Sequence, residues 1–208
     1  MVFLDFDGTI VNLWPRYYRA FCMASGAAGV TQAQYLAAKR RFPADGKLAE
    51  HLQVPLPDDY FSRKRGLLES RQLLQHDTLL LPREELISFF GRYDCRILTS
   101  RRREPLFREE LARLGLEGLA SQAIVLDPDK MGKKEYLQAR FPAGCHVLVG
   151  DSEAEWEAGA LENVRVALVR SGLRRPEDFP LTGRHLVFPT IAGFLTGYRG
   201  RGLELWES

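Results

Sequence analysis

Val2-Phe3-Leu4-Asp5-Phe6-Asp7-Gly8-Thr9 stands at the start of the chain, and its reading decides the fold. Three apolar residues without polar alternation predict a strand covered on both faces, as in a parallel sheet. Two carboxylates and a glycine follow at once. Standing alone, Asp-x-Asp-Gly is most often a turn, since Asp and Gly favour turns anyway. A calcium loop would need later ligands and a terminal Glu, which are missing here. A carboxylate pair set directly at the end of a buried strand is better read as part of a site.

Comparable apolar runs recur down the chain. Strands are expected at Val2–Phe6, Cys95–Leu98, Ala123–Leu126, His146–Val149, Val164–Val169 and Leu186–Phe188. Between the later ones lie helical patterns at Arg103–Leu114, Lys133–Arg140 and Glu153–Leu161. This alternation predicts an α/β fold: a doubly wound parallel sheet, Rossmann-like, with right-handed crossovers. Asn12–Leu80 reads differently, as several helices without a strand. Thr31 and Gln34 form a capping-box pattern opening one of them. Pro43, Gly46, Pro55 and Pro57 mark connections, and Asp58 or Asp59 is placed to cap a helix running to about Gln75. Pro82 suits the first turn of a helix over Pro82–Phe90. The expected organisation is a core of residues 1–11 and 81–208 with a small helical domain, residues 12–80, inserted after the first strand.

Composition narrows the function classes. The 208 residues are 45% hydrophobic and 27% charged with a net charge of +2, which does not suggest nucleic-acid binding. Arg101, Arg102 and Arg103 form the one dense basic cluster, and such a triplet is usually a solvated face. The same reading applies to Arg16, Lys39, Arg40 and Arg41 in the insert. Asp5 and Asp7 interrupt the N-terminal apolar stretch, so neither a signal peptide nor a membrane span is expected. Cys22, Cys95 and Cys145 are odd in number and far apart; Cys95 and Cys145 each open an apolar run, which favours buried free thiols in a reducing, cytoplasmic setting.

Ligands of open α/β sheets bind outside the carboxyl ends of the strands. Past the first predicted strand stand Asp5, Asp7, Gly8 and Thr9; past the second, Thr99 and Ser100; beyond the third, Lys133 and Lys134; past the fourth, Gly150, Asp151, Ser152 and Glu155. Carboxylates, hydroxyls and a lysine brought to one edge suit a phosphoryl group bridged to Mg²⁺.

In these residues the chain resembles the phosphatase branch of the haloacid dehalogenase superfamily. Asp5-Phe6-Asp7-Gly8-Thr9 resembles its first motif, Leu98-Thr99-Ser100 the second, and Gly150-Asp151-Ser152 with Glu155 the fourth. The third motif is a lysine; Lys133 fits better than Lys134 because it stands four residues before Leu137 where a helix opens. One departure is Glu155, where the family usually carries Asp: the charge is kept and moved outward by a methylene. Another is Asn163, where the family's pattern leads one to expect a glycine.

The resemblance implies that Asp5 is the nucleophile and Asp7 the acid/base. Thr99, Ser100 and Lys133 would bind the phosphoryl group; Asp5, Asp7 (through its carbonyl), Asp151 and Glu155 would hold Mg²⁺; and the helical insert would be a cap. The implied reaction is hydrolysis of a small phosphorylated metabolite through an aspartyl-phosphate. A sugar-phosphate mutase would share these motifs. A dehalogenase would need neither Asp7 nor metal. A catalytically idle metal-binding scaffold would have no reason to keep every catalytic residue type.

Overall fold

The computed structural model describes residues 1–207. Its contacts divide the chain into two units, Met1–Asn12 with the chain from Leu79 onward, and Leu13–Thr78. The first unit contains six strands in one parallel sheet: β1 (Val2–Leu4), β4 (Cys95–Ser100), β5 (Ala123–Leu126), β6 (His146–Gly150), β7 (Val164–Val169) and β8 (His185–Phe188). Two further short strands, β2 (Val11–Asn12) and β3 (Thr78–Leu79), form a separate ribbon where the chain leaves and rejoins this unit.

The order across the sheet is β5-β4-β1-β6-β7-β8. The chain therefore winds outward from β1 in one direction and then returns to wind in the other. That reversal puts β1 beside both β4 and β6, with Leu4 opposite Ile97 on one side and Val149 on the other. A doubly wound sheet offers its ligand crevice at such a reversal, outside the carboxyl ends of the strands.

Burial on both faces explains the unbroken apolar strands. Val2 and Leu4 join Ile97, Val147, Val149 and Phe194 in one cluster. Phe3 faces the other way, into Leu98, Leu148, Val166 and Leu168. Truncating a wholly buried phenylalanine such as Phe3 to alanine costs about 3–5 kcal/mol in comparable cores.

The structure moves several expected boundaries. β1 stops at Leu4, although Asp5 N–H still donates to Val149 C=O at 2.8 Å. The Phe6 carbonyl then accepts from Ile10 N–H and Val11 N–H, which bends the chain away. β4 runs on through Thr99 and Ser100 because β5 pairs with it as far as Ser100–Leu126. Pro82 is the extended cap of helix Arg83–Arg92 rather than part of its first turn. The third helical pattern ends at Ala158, capped by Gly159.

The second unit is helical: Trp14–Ser25, Gln32–Arg41, Asp45–His51, Tyr60–Leu68 and Arg71–Leu74. Thr31 and Gln34 make the reciprocal capping box that their spacing predicts. The single helix expected up to Gln75 is two, broken at Glu69–Ser70, where Ser70 is extended. Phe21 packs on Tyr35 and Tyr60, with ring centroids 5.2 and 6.2 Å away. Arg16 and Lys39, expected on a solvated face, are buried and paired, Arg16 with Asp77 at 3.2 Å and Lys39 with Asp45 at 2.7 Å. Arg40 and Arg41 are exposed as expected. All three cysteines are free; Cys95 is buried, but Cys145 is exposed because it stands just ahead of β6. Among the described residues, no helix is long and apolar enough to cross a membrane.

Candidate active site

The loop after β1 builds the first part of the site. Gly8 has φ +79, a left-handed conformation that glycine tolerates and a side chain resists. A Cβ at Gly8 would stand 2.7 Å from the Asp151 carboxyl, so the glycine also lets backbone and carboxylate approach. The loop is tied back by Ser171 Oγ, which donates to Gly8 C=O at 2.7 Å.

Asp5 leaves β1 and Asp151 leaves its neighbour β6, so adjacent strand ends deliver two carboxylates to one place. Glu155 arrives from the first turn of helix Glu153–Ala158. Its Oε2 accepts from Ser152 N–H and Ser152 Oγ–H at 3.0 and 2.6 Å, which completes a capping box and fixes the side chain. Asp5, Asp151 and Glu155 are all buried and each offers an oxygen within 4.8 Å of the others'. Lys133, first residue of helix Lys133–Arg140, is buried and donates through Nζ to both Asp5 Oδ1 and Glu155 Oε1. Lys134 is only half-buried and is not placed on these carboxylates.

Asp151 is further held by a segment without sequence signature. Leu173 N–H donates to Asp151 Oδ2 at 2.9 Å. Gly172 lies so close that a Cβ there would overlap the Asp151 carboxyl. Ser171, Gly172 and Leu173 thus brace the first and fourth motifs together from the loop after β7.

Electrostatics follow from geometry. Burial pushes the Asp5 carboxyl up to about 7; Lys133 pulls it down, and Glu155 and Asp7 push it up. Asp151 is raised well above the usual carboxylate range by burial, then by Asp5 and Glu155. Lys133 is held above the ordinary lysine range: burial opposes its charge, but Asp5 and Glu155 outweigh burial. Three carboxylates against one ammonium leave the pocket short of positive charge. A divalent cation would make up the difference, and an all-carboxylate donor set is the kind Mg²⁺ or Ca²⁺ prefers.

Thr99 Oγ1 and Thr9 Oγ1 are buried with no hydrogen-bond partner among the described residues. Buried hydroxyls normally find partners, and two orphaned beside strand ends are donors suited to anionic oxygens. Ser100, the last residue of β4, is half-buried.

Asp7 is not one of the carboxylate trio, although its charge acts on Asp5. Its oxygens accept a two-pronged bond from Arg101, Nε to Oδ2 at 2.6 Å and Nη2 to Oδ1 at 2.8 Å. Arg101 is buried, which corrects the solvated reading of the arginine triplet; Arg102 and Arg103 are exposed.

No family model matches the chain, and no curated protein matches it in sequence. Solved structures do match in shape. A haloacid dehalogenase-like family hydrolase from Streptococcus pneumoniae superposes with a TM-score of 0.68 at 15% identity, covering 95% of this chain and 97% of that one. A protein described as a predicted phosphatase from Clostridium acetobutylicum gives 0.67 at 12% identity, over 96% and 97%. Protein tyrosine kinase A from Mycobacterium tuberculosis gives 0.66 at 19% identity, over 94% and 96%. At such identities the likeness speaks for architecture: the chain has the fold of the haloacid dehalogenase-like hydrolases.

Proposed function

We propose that this protein is a Mg²⁺-dependent phosphatase that hydrolyses a small phosphomonoester through a phosphoryl group carried transiently on Asp5. The observation that carries this reading is the buried trio Asp5, Asp151 and Glu155 with Lys133 clamped onto two of them. A buried lysine–carboxylate cluster is a poor way to gain stability, since apolar side chains would serve as well, so its presence at a ligand crevice favours chemistry.

An Asp5 carboxylate oxygen attacks phosphorus, the bond to the leaving oxygen breaks, and Asp7 gives that oxygen a proton. Water then attacks the acyl phosphate, Asp7 takes its proton, and Asp5 is released as carboxylate. Lys133, Thr99 and Ser100 hold the phosphoryl oxygens. Asp5, Asp151 and the Asp7 carbonyl, with the charge of Glu155, would hold Mg²⁺, which would supply neutralisation of phosphoryl charge there. The helical unit, Leu13–Thr78, is assigned the choice of substrate as a cap. Three unbridged cysteines favour a reducing, cytoplasmic setting.

The test is Mg²⁺-dependent release of inorganic phosphate from an aryl phosphate, abolished by chelator and by Asp5→Asn. Full activity in excess chelator would remove the metal from the reaction. An active Asp5→Asn would remove the nucleophile. Transfer to a second hydroxyl without release of phosphate would make the protein a mutase.

A further inference from the structure

We propose that Arg101 is a positioning residue that sets the carboxylate of Asp7 for proton transfer, with Glu110 fixing the arginine from behind; the proposal rests on the acid/base reading of Asp7. Arg101 follows β4 directly, and its N–H donates to Leu126 C=O at 2.9 Å, so its backbone is anchored to the sheet. Its side chain turns inward over Phe6 and Phe107, whose ring centroids lie 6.0 and 5.9 Å from the guanidinium carbon. Those rings pack edge-on against each other at 5.0 Å, making one aromatic platform under the guanidinium. From that platform Nε and Nη2 grip the two oxygens of Asp7. Nη2 also reaches Glu110 Oε2 at 3.1 Å.

Glu110 lies on the buried face of helix Glu104–Arg113, with a wholly buried side chain. The Asp7 side chain is 21% exposed and so is the end of this chain of charges that opens outward. A buried Glu–Arg–Asp series adds little stability over an apolar replacement, but a planar two-pronged grip fixes a carboxylate in plane and distance as a lysine does not. Proton transfer needs that placement, because misplacing a reacting group by about 1 Å costs on the order of 10²-fold in rate.

The experiment compares Arg101→Lys, Asp7→Asn and the double variant in the full chain, with an aryl phosphate and Mg²⁺. Arg101→Lys keeps the charge and loses the fork. Its kcat is expected to fall on the order of 10²-fold with KM unchanged. The acid-quenched enzyme should carry phosphate on Asp5, since hydrolysis is the step that needs Asp7 most. Added to Asp7→Asn, the same change should cost nothing further, because the group it positions is already gone. Glu110→Gln, which keeps the shape, should lower kcat in the same sense and carries the test if Arg101→Lys does not fold. Multiplicative losses in the double variant, a raised KM, or parental kcat in both Arg101→Lys and Glu110→Gln would overturn the proposal. Parental turnover in Asp7→Asn would instead overturn the acid/base reading itself.

Discussion

Asp5→Asn should do more than abolish activity: it should make the metal-free protein more stable at neutral pH. Burial raises the Asp5 carboxyl to about 7 from an ordinary value of 3.8. A carboxyl raised in the folded state contributes stability that is complete below pH 3.8 and is lost as pH rises through about 7. At about 1.4 kcal/mol per pH unit, that window is worth about 4 kcal/mol. Asparagine has nearly the same shape and no charge to bury, and Lys133 keeps Glu155 as partner. The stability difference between variant and parent should therefore grow with pH, from near zero at the acid end of the window to about 4 kcal/mol above pH 7. For a chain of this size each kcal/mol moves the melting temperature by about 2–4 °C. Thermal melts of both proteins in chelator, from pH 4.5 to 8, read this; taking the difference cancels the titrating groups remote from Asp5, while Asp151, which Asp5 raises, adds to it in the same sense. Saturating Mg²⁺ should restore the parent and do less for the variant, whose ligand set is one carboxylate poorer. A difference that is flat with pH, or that shrinks towards neutrality, would refute the burial of an ionisable Asp5 in an anion-rich pocket.

Two further outcomes concern the groups around Asp151. Gly172→Ala should force Asp151 off its bond to Leu173 N–H and weaken Mg²⁺ on the order of 10–100-fold, read from the Mg²⁺ dependence of thermal stability. Asp151→Ala should raise the Mg²⁺ requirement sharply, whereas Glu155→Asp should keep metal use but lose melting temperature, because the shorter side chain must give up Lys133 or the Ser152 cap.

Much of the fold was legible because two-sided burial leaves its mark on sequence: Ala123–Leu126 and Val164–Val169 are strands with the expected bounds. Lys133–Arg140 likewise begins and ends where its pattern predicts. Strand ends were less legible at Phe6 and Ser100, where hydrogen bonds to a turn or a neighbouring strand decide the last residue. At the site, types and spacing pointed to Asp5, Asp151, Glu155 and Lys133, and the structure brings these four together. Arg101 was missed because its partner Asp7 lies 94 residues away, and a run of three arginines looks alike whether one of them turns inward or not. Arg16 was misread for the same reason, since its ion pair with Asp77 is non-local. Ser171, Gly172 and Leu173 carry no pattern at all. Two of them act through backbone, one by an N–H and one by the absence of a side chain, and neither property marks a residue type as catalytic.

The most direct measurement is the mass of the intact protein after reaction with an aryl phosphate and Mg²⁺ and quenching in acid. An aryl leaving group needs little help from an acid, whereas water attack on the aspartyl-phosphate still needs its base. Loss of a general base slows that step by roughly 10²–10⁴-fold, enough to trap the intermediate. Asp7→Asn should therefore carry one added phosphoryl group, and Asp5→Asn none. No adduct on Asp7→Asn together with undiminished turnover would contradict a two-step reaction through Asp5.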